Sequence, residues 1–396
     1  ERGAPVYDVK VRWGTAVVAA LVGLLMALLL LRETAAYHYL VLGNARRDRA
    51  QLVTDAAEKE SLLAGAVNAY SQSIKIGATR LLGIDVRAAT KIPLGIPEPQ
   101  SFTWLAALDN RAALQVQLGQ YPEAIGSYNV VIEYTDRPAN VYAWRAIARQ
   151  SWSTVDTGEG ELTTEENQYE LALADFAQAI ELAPRRTDYY LWRAVAYQAL
   201  DDSVHAEDDY RWALAQTEPP VIPLTLKQRE RALSGLGWIR YKQRDFAVAK
   251  IFFEQATQAN PEQAEAWVGL GYADYSLGLY ADAAVAWERA YELAPDDPTV
   301  LISLGTLHWK LGGRADDASA KCVEYSTSAD YFARSTIQPG QDAQAVAFTF
   351  RTLGQVQSLL NGCPDFTDPH PYPLTVNSYT EALRLDPENV DYYQKR

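Results

Sequence analysis

Two cysteines and four histidines are the side chains of this 396-residue chain with the most scope for chemistry. The histidines are scattered along the sequence, at His38, His205, His308 and His370. His370 is near Cys363, but one histidine and two cysteines in Pro-rich segments lack the paired spacing of a zinc site. No helix N-terminus that would lower the pKa of a thiol is evident. The sequence therefore predicts neither a metal site nor a reactive thiol.

The common motifs of catalysis and cofactor binding are missing from the sequence. It has no GxxxxGKS/T or GxGxxG loop to hold a phosphate, no nucleophile elbow and no HExxH helix. Paired acids such as Asp296 and Asp297 lie where helices are expected to begin, a position at which a carboxylate caps a helix. We therefore expect a non-catalytic protein that uses no cofactor and no metal.

Length and composition favour several domains or a repeat array. A single domain usually takes about 100 to 200 residues, whereas this chain is longer, with 48% hydrophobic and 22% charged residues. That balance is typical of packed proteins and not of disordered ones. The net charge of −14 means that the bulk of the molecule repels a phosphate backbone or an anionic lipid surface. We therefore do not expect nucleic-acid binding.

The strongest pattern in the sequence is an internal repeat. Pro261 and Pro295 are 34 residues apart, and the residues before each follow the same order of large and small side chains. In register, the first copy holds Leu233, Leu236, Gly237, Phe246, Ala249, Phe253 and Ala256, and the second holds Trp267, Leu270, Gly271, Tyr280, Ala283, Trp287 and Ala290. A large residue followed four positions later by a small one lets two helices approach closely, and the proline ends the second helix.

This pattern resembles the tetratricopeptide repeat, in which W, L-G, Y, then A, F or Y, A and P recur at fixed offsets. The register extends with lower fidelity from Leu105 to Asn389 and gives about seven repeats. Three of them carry inserts, which lie near 153–166, 313–327 and 362–375. The resemblance implies an all-α fold in which helix-turn-helix units stack into a right-handed solenoid over residues 101–396. An irregular helical bundle is the alternative.

The resemblance also implies a binding surface, because partners of this family usually lie in a concave groove lined by the first helices. The groove-facing positions of the three best repeats hold Trp238, Tyr241, Val268, Tyr272, Tyr275, Ile302 and Trp309. Aromatic residues are typical of interface hot spots, so we expect a peptide, a partner helix or a neighbouring subunit to bind there. The alternative is that these rings cover the seams between repeats.

The equivalent positions of the second repeat are basic. Arg145 and Arg149 lie there beside Trp152, and they are candidates for contact with an acidic group of a partner. Neutralisation by acidic residues of nearby inserts is the alternative. The carboxylate clamp of this family needs a Lys, Asn and Arg set that we do not find, so binding of chaperone tails is not expected.

The two cysteines fall in equivalent places of neighbouring repeats. Cys322 lies in the insert of the sixth repeat and Cys363 in the insert of the seventh, and such inserts project from the same edge of a solenoid. A disulfide between them would stabilise the fold by roughly 2 to 4 kcal/mol and would imply an oxidising compartment. The alternative is two unrelated buried thiols.

The segment 14–31, GTAVVAALVGLLMALLLL, has eighteen residues and no charge. As a helix it would cover about 27 Å, close to the thickness of a bilayer core, so we predict a single transmembrane helix. A cleaved signal peptide is the alternative, although its apolar run is usually about 7 to 15 residues. A short tail, 1–13, precedes the span, and 32–100 is predicted to be a helical stalk ending in the Pro-rich linker 91–99.

These features predict a membrane-tethered scaffold that binds other proteins, as a subunit or assembly factor of a larger membrane or cell-envelope complex. Its layout is similar to that of bacterial single-span tetratricopeptide proteins, a similarity of architecture alone. The charges flanking the span do not decide its orientation. The disulfide favours a single-pass protein of the cell membrane whose repeats lie outside the cytoplasm, in the periplasm or beyond.

Two other functions stay open at this point. The repeats could be the sensory ectodomain of an enzyme or receptor whose catalytic domain precedes Glu1. The aromatic groove could instead bind envelope glycans, although the acids and amides expected beside stacked sugars are not obvious. The sequence also leaves open whether the chain forms a homo-oligomer.

Overall fold

The computed structural model describes residues 8–78, 103–136, 138–153, 165–216, 222–336, 343–360, 363 and 371–386. Over these ranges the chain forms sixteen α-helices, with one isolated bridge between Arg186 and Ile222. The chain divides into two compact units, residues 1–185 with 199–201 and residues 186–198 with 202–396.

The first unit contains three helical hairpins. Its helices are α1 (Asp8–Ala50), α2 (Ala56–Ala78), α3 (Thr103–Gln117), α4 (Tyr121–Tyr134), α5 (Pro138–Ser153) and α6 (Glu165–Leu182). Each odd-numbered helix packs against the helix that follows it, and α2 and α4 also pack against the next hairpin. Most of the insert predicted near 153–166 lies outside the described residues.

The helix α1 runs without a break from the predicted membrane span, 14–31, to Ala50. The side chains of most residues in that span lie outside the described part of the structure. Among the residues that are described, no helix has the length and apolar character needed to cross a membrane.

The predicted stalk, 32–100, contains a packed hairpin between the end of α1 and α2. Its buried centre is Tyr70, whose hydroxyl donates a hydrogen bond to Asn44 Oδ1 at 2.8 Å. A Cβ atom at Gly43 would lie 2.4 Å from Tyr70 Cε1, so glycine is needed for this approach of the two helices. The repeat register did not reveal this hairpin, and the linker 91–99 lies outside the described residues.

The second unit contains five consecutive hairpins. Its helices are α7 (Thr187–Ala199), α8 (Ser203–Ala215), α9 (Leu226–Lys242), α10 (Phe246–Ala259), α11 (Ala264–Ser276), α12 (Tyr280–Leu293), α13 (Pro298–Gly312), α14 (Ala318–Ser335), α15 (Ala343–Leu360) and α16 (Pro371–Leu385). The second helix of each hairpin packs against the first helix of the next one. This stacking buries apolar faces that a lone hairpin would expose.

Short polar side chains begin many of these helices. Asp202, Asp245, Asp297 and Asp317 each accept a hydrogen bond from a backbone N–H of the first turn, and Thr225 forms a capping box. The cap at Asp297 is the one expected from the sequence, with Thr299 N at 2.7 Å from its Oδ1. Each such cap contributes about 0.5–2 kcal/mol to helix stability.

Large rings facing glycines form the core between hairpins. Phe253 of α10 is fully buried, and Cβ atoms at Gly237 and Gly269 would lie 2.7 and 2.3 Å from its Cε1. Trp287 of α12 is buried in the same way, and a Cβ atom at Gly271 would lie 2.3 Å from its Nε1. The large-to-small pattern of the repeat therefore matches the packing.

We expect Gly269→Ala to lower the free energy of unfolding by about 1–3 kcal/mol, because the new methyl group displaces the buried ring of Phe253. Gly126→Ala is the matched control, since Gly126 lies inside α4 with no atom near its Cβ position. That change should stabilise by about 0.5–1 kcal/mol, the ordinary preference of a helix for alanine. Urea denaturation measures the free energy of unfolding of both variants. Equal changes in the two would contradict the close packing of Phe253 against Gly269.

The insert predicted near 313–327 is largely helical. Asp317 caps α14 by accepting from Ala320 N at 2.8 Å, and α14 has 18 residues where α12 has 14. The extra turn places Cys322 on a helix and not in a loop. Of the insert near 362–375, the structure describes Cys363 and the residues from Pro371 onward.

Glu230 is a buried carboxyl group on α9. Ser234 Oγ donates a hydrogen bond to its Oε1 at 2.8 Å, but burial raises its pKa, and the negative charge of Glu265 acts in the same direction. A raised pKa in the fold means that the proton is bound more tightly there than in the unfolded chain. Protonation of Glu230 therefore contributes fully to the stability of the fold below an ordinary glutamate pKa of about 4.3. This contribution is lost as the pH rises through the raised pKa of the folded state.

We expect Glu230→Gln to be more stable than the parent at pH 8, because the amide keeps an acceptor for Ser234 and removes the buried charge. The fall in stability between acidic and neutral pH should also become shallower. Thermal melts at a series of pH values measure this. Glu288→Gln, at an exposed glutamate of the same unit, is the control and should follow the parent curve.

Candidate partner-binding surface

Four aromatic side chains on consecutive first helices form one cluster, here called the aromatic face. Trp238 and Tyr241 come from α9, and Tyr272 and Tyr275 come from α11. The Trp238 ring lies 5.6 Å from Tyr241 and 5.8 Å from Tyr272, measured between centroids. Tyr272 and Tyr275 both contact Trp287, at 5.4 and 5.7 Å. All four members of the face are half-buried.

The hydroxyl groups of this face tie neighbouring hairpins together. Tyr241 Oη lies 3.0 Å from Ser276 Oγ, and Ser303 Oγ donates to Tyr272 Oη at 3.1 Å. Burial raises the pKa of Tyr272 and Tyr275, so both hydroxyls stay neutral. The rings therefore cover the seams between repeats, as one alternative supposed, and are still only half-buried.

The other groove positions lie outside this cluster. Val268 is 6% exposed and lies in the core around Trp287 and Leu304, so it is a core residue and not part of the surface. Ile302 and Trp309, on α13, are half-buried against a separate core that includes Phe332. Helical register assigned Val268 to the groove, but the close approach of α12 and α13 covers it.

Arg145 and Arg149 of α5 both bind one carboxylate within their own hairpin. Asp175 of α6 is buried, and its Oδ2 accepts from Arg145 Nε at 2.8 Å and from Arg149 Nη1 at 2.9 Å. The two guanidinium groups are therefore already neutralised. The sequence offered this alternative, but it placed the acid in an insert and not on α6.

A cavity of about 450 Å³ lies beside Tyr275, where α11 turns into α12; we call it the turn pocket. Its lining residues are Tyr275, Tyr280, Thr306, Trp309, Lys310, Gly313 and Arg314. Its volume falls within the range of about 300–1,000 Å³ that is common for ligand sites. The Arg314 guanidinium lies over the Tyr280 ring at 4.6 Å, and Tyr275 contacts Tyr280 at 5.2 Å.

The two cations of the turn pocket lack the ion pairs that some other basic residues of the second unit make. Arg193 and Lys250 pair with Asp209 and Asp274, each at 2.7 Å. Within the described residues neither Lys310 nor Arg314 has a carboxylate partner, and both are exposed. The pocket therefore holds two positive charges that no described carboxylate neutralises.

Sequence reasoning missed Tyr280, Lys310 and Arg314 as surface residues. A signal was present, because Phe246, Tyr280 and Arg314 follow one another at intervals of 34 residues. The repeat thus replaces an aromatic residue by arginine at its third copy. A departure from the pattern at one repeat indicates a local role that the other repeats do not share.

The structure offers no metal site in the part of the chain that it describes, where no three His, Cys, Asp or Glu side chains are grouped to hold an ion. His308 Nδ1 lies 2.7 Å from Glu324 Oε2, and its ring stacks on Tyr331 at 5.6 Å. These contacts give His308 a structural role.

Residues 234–298 match the family model described as tetratricopeptide repeat. This segment contains tetratricopeptide repeats. The match extends from α9 to the start of α13, so all four residues of the aromatic face lie within it. Tetratricopeptide repeats generally mediate contacts between proteins, and the matched model describes a repeat and no catalytic domain.

Solved structures with similar folds include two of IFIT1, and the resemblance shows the fold alone because the identities are low. The human IFIT1 dimer with PPP-AAAA is 13% identical, with a TM-score of 0.51 over 87% of this chain and 77% of IFIT1. A monomeric IFIT1 mutant with Gppp-AAAA is 11% identical, with a TM-score of 0.52 over 91% and 80%. Pseudomonas aeruginosa PilF is 19% identical, with a TM-score of 0.46 over 65% and 95%. No curated protein matches the sequence significantly.

Proposed function

We propose that this protein is a non-catalytic, membrane-tethered scaffold that binds other proteins through the aromatic face. The observation that carries the proposal is the single half-buried cluster of Trp238, Tyr241, Tyr272 and Tyr275, which continues through Tyr275 into the turn pocket. Large rings with fixed polar ends lose little conformational freedom on binding, which is why they dominate interface energetics. The cluster lies inside the matched repeats.

The proposed tether is the uncharged segment 14–31. Since α1 is one helix from Asp8 to Ala50, the tether would continue directly into the hairpin that packs around Tyr70. The first hairpin would then be held at a defined distance from the bilayer, without a flexible linker. Such an arrangement suits a subunit or an assembly factor of a membrane or cell-envelope complex.

Deleting residues 1–31 tests the tether. We expect the full chain to stay with the membrane after an alkaline wash and the shortened chain to appear in the soluble fraction, because the deletion removes the apolar segment. The shortened chain keeps Gly43, Asn44 and Tyr70, so its first hairpin can still form. A full chain that alkali strips from the membrane would overturn the tether.

The proposed compartment is extracytoplasmic, periplasmic or extracellular. Cys322 and Cys363 form a disulfide in the structure, as the sequence predicts, and structural disulfides persist in oxidising compartments. The compartment is tested together with the disulfide in the Discussion.

Photocrosslinking tests the binding surface. A benzophenone amino acid placed at Tyr275 or at Trp309, in the full chain in its native membrane, should capture the same partner proteins from both positions. Val285 of α12 is 65% exposed and lies outside the aromatic face, so it is the control position and should not capture them. Equal capture from Val285, or none from Tyr275 and Trp309, would overturn the proposal.

A further inference from the structure

We infer that the turn pocket binds an acidic peptide, with one carboxylate held between Lys310 and Arg314 and a neighbouring apolar side chain packed on Tyr275 and Trp309. This inference rests on the proposed function, because it specifies the chemistry of the partner. The pocket is distinct from Arg145 and Arg149, whose charges are already used by Asp175.

Arg314 is placed to receive a carboxylate. Its guanidinium carbon lies over the Tyr280 ring, 4.6 Å from the ring centroid, and a cation–π contact of this kind does not use up the N–H donors. Lys310 follows Trp309 on the last turn of α13 and adds a second positive charge to the same lining. Since no described carboxylate pairs with either cation, an incoming carboxylate would not have to displace one.

The pocket wall also offers an acceptor that fits a peptide. Thr306 Oγ1 donates its hydrogen to Ile302 O at 2.8 Å, so towards the pocket the hydroxyl can only accept. A peptide has backbone N–H groups to donate to it, whereas a phosphate dianion has none. The rings of Tyr275 and Trp309 provide the apolar wall for the side chain beside the carboxylate.

The charge of the whole chain argues against a polyanion in this pocket. The formal net charge is −14, and Asp316 and Asp317 follow Arg314 after one intervening residue, Ala315. A nucleic acid or an anionic bilayer would experience that wider field, whereas a single carboxylate within the pocket is dominated by charges nearer than about 8 Å, the Debye length at physiological salt. The pocket attracts a carboxylate that is already close, whereas the whole chain repels a polyanion at longer range. This combination favours a short acidic segment of a protein as the ligand.

A displayed library of random decapeptides, panned against the full chain, tests the inference. We expect the selected peptides to be enriched in Asp or Glu beside an apolar or aromatic residue. Binding of a synthetic selected peptide should weaken about tenfold or more in K310Q/R314Q, because two charge-assisted contacts are lost. R229Q/K321Q removes the same charge outside the pocket lining and should change binding less than about twofold. Unchanged circular dichroism establishes that both variants are folded.

The other outcomes separate this inference from the proposed function. Two results would overturn the inference of an acidic ligand: selected peptides without acidic residues, or acidic peptides that bind K310Q/R314Q as tightly as the parent. Neither result would contradict the proposed protein-binding function. No selected peptide, together with no crosslinked partner at Tyr275, would overturn both. Binding of phosphatidylglycerol vesicles or poly(A), lost in K310Q/R314Q, would assign the pocket to a phosphate and overturn the peptide.

Discussion

Phe253→Ala is expected to lower the free energy of unfolding by about 3–5 kcal/mol, a typical cost of removing a buried aromatic ring. Phe253 is fully buried and packs with Leu270 and Ala273 of the next hairpin. Gly237 and Gly269 face the ring and have no side chains that could fill the space it leaves. The cavity would therefore remain open, so the loss includes the cost of the cavity as well as the lost burial of the ring.

The control for this change is Phe348→Ala in α15, because Phe348 is 53% exposed. We expect it to change stability by about 0.5 kcal/mol or less. Guanidinium denaturation of both variants, followed by circular dichroism, gives the comparison. Similar midpoints for the two would mean that Phe253 does not hold neighbouring hairpins together. Hydrogen exchange adds a local measure, with faster exchange expected first in α9 to α12.

The stacked hairpins were predictable because their cause lies in the sequence itself. Phe253 and Trp287 recur at an interval of 34 residues, and so do Gly237 and Gly271. A ring that fits only against glycine leaves this large-and-small pattern wherever the same contact recurs. Register alone therefore gave the hairpins from Leu105 onward, their order and the ring and glycine positions of their core.

Contacts outside the repeat could not be found in this way. Tyr70 packs its ring against Gly43, as Phe253 does against Gly269. However, no 34-residue register connects this contact to the other hairpins. The partner of Arg145 and Arg149 is Asp175, which follows a long insert, so the sequence shows no spacing that pairs them. Such pairs depend on how helices approach, and this information is not local.

The aromatic face was predictable by register, whereas the turn pocket was not. Trp238, Tyr241, Tyr272 and Tyr275 come from equivalent positions of two first helices, and the structure brings them together. The turn pocket combines residues of two different repeats, including Arg314 at a position where the earlier copies hold an aromatic ring. The positive charge of Arg314 arises where the sequence departs from the repeat pattern. A search for similarity between repeats does not detect such a position.

Replacing both cysteines, C322S/C363S, is expected to lower the free energy of unfolding of the oxidised protein by about 2–4 kcal/mol. Cys322 lies on α14 and Cys363 follows α15, at a sequence separation of 41. The bridge restricts the conformations of the unfolded chain, so its removal raises the entropy of the unfolded state. The parent protein measured in reductant is the control and should match the variant.

A thiol count on the parent decides whether this stabilisation operates in the cell. Protein purified in the presence of an alkylating agent should carry no label on Cys322 or Cys363 without reductant and two labels after reduction. Because cytosolic thiols are normally kept reduced, a bridged pair supports repeats that face an oxidising space outside the cytoplasm. Two labels without reductant would remove the main support for that location, and a scaffold facing the cytoplasm would become the better hypothesis.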